Sequence, residues 1–173
     1  MKKIFIIIFV LFVLILSGCE KKNYTSINFE DKQFGFLTKF TYDKSLDYTF
    51  KNIEVQENEY AQMNMTSKNN NIVIDFEYDE QTKEFFEVNK KSVSDYDNYK
   101  EYKYNGYTAY TFSTGDENLY LMIMLDDIVE TANPCMYIRF SLLDDTTKTD
   151  IMKFYNSDDF QYFINSIEYI VKK

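Results

Sequence analysis

Apolar and polar residues alternate along most of this chain. Ile72, Ile74, Phe76 and Tyr78 fall on one side of an extended backbone, and Val73, Asp75, Glu77 and Asp79 on the other. Side chains of a strand point to its two faces in turn, so this spacing predicts a half-buried strand. Ala61, Met63 and Met65 alternate with Tyr60, Gln62 and Asn64 in the same way. So do Met136, Ile138, Phe140 and Leu142 with Cys135, Tyr137, Arg139 and Ser141. Residues 48–55 predict a further strand whose phase slips near Asn52, and the unbroken apolar run 119–125 predicts a central strand covered on both faces. Between two tyrosine-rich stretches stands Asn105-Gly106, the pair that most readily supplies the positive φ angles of a two-residue hairpin turn. That turn opposes Tyr104 to Tyr107 and Tyr99 to Phe112.

Three stretches change to a helical period. In the last, Ser157 can cap a helix and Asp158 and Asp159 complement its dipole. Phe160, Phe163, Ile164, Ile167 and Val171 then form one apolar stripe. A helix over 80–91 is expected to bury Phe85 and Val88, and a short helical turn is expected over 150–155. The expected fold class is α+β: a mostly antiparallel sheet flanked by two or three helices, with a closing amphipathic C-terminal helix.

The N-terminus follows neither period. Lys2 and Lys3 precede an apolar run over 4–16, which is too short for the roughly 20 residues that a spanning helix needs. A basic start followed by a short apolar core is the pattern of an export signal. Leu16-Ser17-Gly18-Cys19 follows and resembles a lipobox, the signal of bacterial lipoproteins. The resemblance implies that Leu16, Ser17 and Gly18 are read by the signal peptidase and that Cys19 carries the lipid. Expected organisation is therefore a signal peptide over 1–18, a polar lipidated tether over 19–29 and a single exported domain over 30–173. The membrane is then a partner only through the lipid on Cys19, with the domain facing outside.

Composition narrows the function. Loss of Lys2 and Lys3 with the leader would take the net charge from −9 to −11. Such a domain has no basic face for nucleic acid, whose phosphates demand one. The chain has two cysteines; with Cys19 lipidated, Cys135 has no partner for a disulfide and reads as a small core residue. Lys, Asn, Ile, Tyr and Phe dominate, which fits an AT-rich, Gram-positive-type source. The hairpin Tyr102-Lys103-Tyr104-Asn105-Gly106-Tyr107 and the final helix from Asp159-Phe160 to Ser166-Ile167 resemble the PsbP-like α/β/α sandwich, a resemblance that would cover about Phe36 to Ile170. That family consists mostly of non-enzymatic binding or assembly modules, although fold alone does not set function.

Catalytic constellations are not visible. With no histidine there is no Ser-His-Asp or Cys-His arrangement. The pairs Asp126-Asp127, Asp144-Asp145 and Asp158-Asp159 lack the spacing of a calcium loop and read as solvated turns or caps. No metal or cofactor is expected. Tyr102, Tyr104 and Tyr107 share one hairpin face. Under a helix they are core, the reading we favour; exposed, they are the candidate binding face. The expected function is a lipid-anchored, non-enzymatic envelope protein that binds an envelope protein of unknown identity. The alternative is a binder of cell-wall glycan or a small ligand through a Tyr-rich face. A pocket between helix and sheet would favour the ligand, and a flat aromatic patch the protein.

Overall fold

Alternation produces strands wherever the two outcomes can be compared. The computed structural model describes residues 22–31, 35–53, 62–115, 118–125, 133–144 and 150–170. In chain order these form β1 (Tyr24–Asp31), β2 (Phe36–Asp43), β3 (Tyr48–Ile53), β4 (Gln62–Ser67), β5 (Ile72–Gln81), α1 (Lys83–Ser92), β6 (Lys100–Tyr104) and β7 (Tyr107–Ser113). There follow β8 (Leu119–Met124), β9 (Asn133–Leu142), α2 (Ile151–Tyr155), α3 (Asp158–Asn165) and β10 (Glu168–Tyr169). The class is α+β with a mostly antiparallel sheet. A large sheet has the strand order β3-β4-β5-β9-β8-β7-β6, and a small one β1-β2-β10.

The inner face of the large sheet carries Met63, Met65, Ile74, Phe76, Ile138, Phe140, Leu121 and Ile123, all fully buried. The small sheet, α2 and α3 close over it. Phe40 of β2 stacks on Phe163 of α3 at 4.8 Å and meets Phe76 edge-on at 5.6 Å. Tyr78 of β5 crosses the same interface. Its hydroxyl donates to the Phe29 carbonyl at 2.9 Å and lies 2.7 Å from Thr38 Oγ1, so its buried polar tip is satisfied. Tyr104 pairs with Tyr107 across the Asn105-Gly106 turn, as the turn chemistry predicts. The ladder stops at Lys100↔Thr111, which leaves Tyr99 one residue outside it. Residues 54–61, including Ala61 and Val55, lie outside the described residues.

Three expectations are corrected. The polar tether expected through Phe29 is, from Tyr24 onward, strand β1, paired along its length with β2. Its Ile27 and Phe29 do alternate with polar Ser26, Asn28 and Glu30, and Phe29 is buried. Helix α1 buries Phe86, whereas Phe85 and Val88 stand 53% and 56% exposed. Thr82 starts the helix by accepting a hydrogen bond from the Phe85 N–H, and Phe86 with Val93 seven residues later makes the packed side. The last helix ends at Asn165, with Ser166 as its cap, and does not close the fold. Ile167 is buried just beyond it, and β10 then pairs with β2. Val171 lies outside the described residues.

The molecule has two ends. Where the chain comes in, Lys22 meets Asp159 at 3.3 Å and Tyr24 stacks on Tyr162 at 4.7 Å. The turn after β2 lies here too, with Asp47 accepting from Ser67 Oγ at 2.9 Å and from the Asn69 N–H at 2.6 Å. The Asn105-Gly106 hairpin marks the other end, where Asn105 Nδ2 donates to the Ile167 carbonyl at 2.7 Å.

Candidate functional site

The tyrosines singled out in the sequence belong to the core. Tyr104 is 2% exposed, and its hydroxyl is hydrogen-bonded to that of buried Tyr155 on α2. Burial pushes the Tyr104 hydroxyl up to about 12 and the Tyr155 hydroxyl still higher. Tyr102 stacks on Tyr104 at 5.5 Å, and Tyr107 accepts from the Tyr169 N–H at 3.2 Å. Tyr102 and Tyr107 are half-buried against the same core. Together the three tie the hairpin to α2 and β10, and they offer no open platform. Leu16, Ser17, Gly18 and Cys19 lie outside the described residues.

Among the described residues, the other side of the large sheet is covered only in part, and its uncovered part is half-exposed. Helix α1 covers one part of it, with Phe86 set among Tyr110, Met122, Met124 and Cys135. Beyond the helix the face carries a row across six strands, because the register aligns one residue from each. Phe112 of β7 opposes Tyr120 of β8, which opposes Arg139 of β9. Arg139 opposes Asp75 of β5, then Asn64 of β4 and Lys51 of β3.

The row is stiff. Phe112 and Tyr120 stack at 5.0 Å with their planes 19° apart, and Tyr137 follows at 5.6 Å from Tyr120. Tyr96 meets Phe112 edge-on at 5.9 Å. Arg139 directs Nε at 3.1 Å and Nη2 at 2.6 Å onto one oxygen of Asp75, while Asn64 Nδ2 donates to the other. A planar guanidinium fixed in this way is pre-organised and keeps donors for a partner. Alongside, Gln62 Nε2 donates to Glu77 Oε1 at 2.7 Å. Burial and the nearby Asp75 charge raise the Glu77 carboxyl above its usual range, against the opposing pull of Arg139.

Sequence reasoning missed this row. Its one hint was the alternation that put Asp75 and Glu77, and Tyr137 and Arg139, on the solvent side of their strands. Arg139 is also the only arginine of the chain. Which strands lie side by side could not be read from either.

Among the described residues no nucleophile is assembled with a base. Cys135 is fully buried, and burial together with Asp79 pushes its thiol up, away from the reactive thiolate. Among the described residues no three metal-ligating side chains converge, and no helix is long and apolar enough to cross a membrane. Among the described residues, two clefts lie at the end where the chain comes in. One of about 360 Å³ lies between Asp97, Asn98, Asn118 and Asp150, the other of about 660 Å³ between Lys68, Asn70, Asp144 and Lys153. Neither lies on the row.

No protein-family model, no curated protein and no solved structure matches this chain.

Proposed function

We propose that the chain is a lipid-anchored, non-enzymatic protein of the bacterial cell envelope, held outside the membrane by lipid on Cys19, whose domain binds another envelope protein. The observation that carries the binding reading is the Phe112–Tyr120–Arg139–Asp75–Asn64 row on the outer face of the large sheet, beside α1. Tyrosine and arginine are the residues that dominate protein interfaces, and here they are fixed in place before any partner arrives. The row spans six strands and neither of the two clefts described above is lined by it, whereas small-molecule sites are concave.

Two experiments test this. Cys19→Ser should abolish incorporation of a fatty-acid analogue and leave an uncleaved precursor; full labelling of the variant would refute the anchor. Separately, Tyr120→Ser combined with Arg139→Ser should lose the envelope protein that co-purifies with the wild-type chain, with the far-ultraviolet circular dichroism unchanged. Retention of that protein would move the interface elsewhere. Loss of binding to purified wall glycan instead would favour the glycan reading.

A further inference from the structure

The two ends of the domain differ in what they expose. At the end where the chain comes in, Tyr24 and Tyr162 are 42% and 43% exposed although stacked on each other. Tyrosine has an apolar body and a polar tip, and it concentrates at the boundary between lipid and water. Exposed lysines Lys22, Lys44, Lys68 and Lys153 surround this end. Some carboxylates of this end are held by the chain itself: Asp43 accepts from Ser45, Asp47 from Ser67 and Asn69, and Asp159 pairs with Lys22, while Asp150 caps α2 from an exposed position.

The covalent chain adds the second constraint. Five residue steps separate Cys19 from Tyr24, a reach of at most about 18 Å. A domain of this size has a radius of gyration of about 15 Å and is therefore about 40 Å across. On so short a leash Tyr24 stays within about 18 Å of the lipid, which brings this end to the membrane but leaves the tilt of the body to its surface contacts.

We infer that the Tyr24–Tyr162 end rests on the lipid headgroup layer. This rests on the lipid-anchor reading above. The occupant of the aromatic stack is the bilayer surface itself, and the lipid on Cys19 supplies the affinity while the stack sets the orientation. The Asn105-Gly106 hairpin then points away from the membrane, and the row on the outer sheet face stands upright where a neighbouring protein can reach it.

The test uses the full chain, processed in a lipidating bacterial host and reconstituted into phosphatidylcholine vesicles containing nitroxide-labelled lipid. A fluorophore is placed through Lys44→Cys at the near end, or through Lys103→Cys near the hairpin; Cys135 is buried and does not label. The probe at 44 should lose most of its emission and the probe at 103 almost none. Adding Tyr24→Ser and Tyr162→Ser should restore much of the emission at 44. An intact mass without acyl chains overturns the inference together with the anchor. An acylated protein whose probes at 44 and 103 are quenched equally, or not at all, overturns the inference alone. So does strong quenching at 44 that the double serine variant leaves unchanged.

Discussion

Replacing Ile164 by aspartate should remove most of the stability of the domain. Ile164 is fully buried on α3, in one cluster with Phe160 and Phe163 and with the inner face of the large sheet. Truncating such a residue to alanine costs about 2–5 kcal/mol through lost burial and the cavity left behind. Aspartate adds a carboxylate that must either lose its hydration or pull the helix off the sheet, at a further cost of several kcal/mol. Whole domains hold only about 5–15 kcal/mol. Urea unfolding should therefore find Ile164→Asp largely unfolded before denaturant is added. On the same helix Tyr162→Ser loses only a solvent-exposed ring stack, which should cost about 1 kcal/mol. Coincident melts for wild type and Ile164→Asp would mean that α3 is not part of the core.

Helix α1 gives the second large effect, because two adjacent phenylalanines should behave oppositely. Phe86 is 1% exposed and meets Tyr110 edge-on at 5.1 Å over the outer face of the large sheet. Phe86→Ala should cost about 3 kcal/mol or more, the usual range for a buried phenylalanine. Phe85 projects into solvent, and Phe85→Ala should change stability by about 0.5 kcal/mol or less. Paired urea melts decide the matter. A larger loss at Phe85 would restore the helix face that the Phe85–Val88 spacing suggests, and would turn α1 by about 100° on the sheet.

The contrast at α1 shows why one part of the fold was legible and another was not. Phe85 with Val88 satisfies the i, i+3 rule, while Phe86 is followed by Asn89 and Lys90 on its own side. Periodicity alone prefers the first pair. The structure chooses the second because Val93, past the helix end, completes the buried side. Strands were legible where apolar residues were dense, as in β5 and β9. They were hidden in β1, where Ile27 and Phe29 alone mark a stretch otherwise polar in composition. The hairpin register was legible because Asn105-Gly106 admits few alternatives, and Asn105 does take a φ of 48° and Gly106 one of 91°. The last helix was overextended because Ile167 continues the stripe in sequence after the backbone has turned toward β10.

The candidate site follows the same division. Alternation correctly put Asp75, Glu77, Tyr137 and Arg139 on one side of their strands. It could not show that β5 and β9, distant in sequence, are neighbours, so the ion pair between Asp75 and Arg139 was out of reach. Tyrosine density pointed instead to the hairpin, where Tyr104 and Tyr107 are cross-strand partners that the small sheet and α2 require for the core. Long-range pairing, and not composition, decides which aromatic residues meet solvent.

The binding role of the outer sheet face is tested most directly in the living cell. A photoreactive amino acid at Tyr120 lies in the row, and one at exposed Asn28 of β1 lies on the small sheet. Irradiation should join the chain to one discrete envelope protein from position 120 and give no such product from position 28. The same product from both positions, or none from position 120 with the protein folded and anchored, would contradict the assignment of that face.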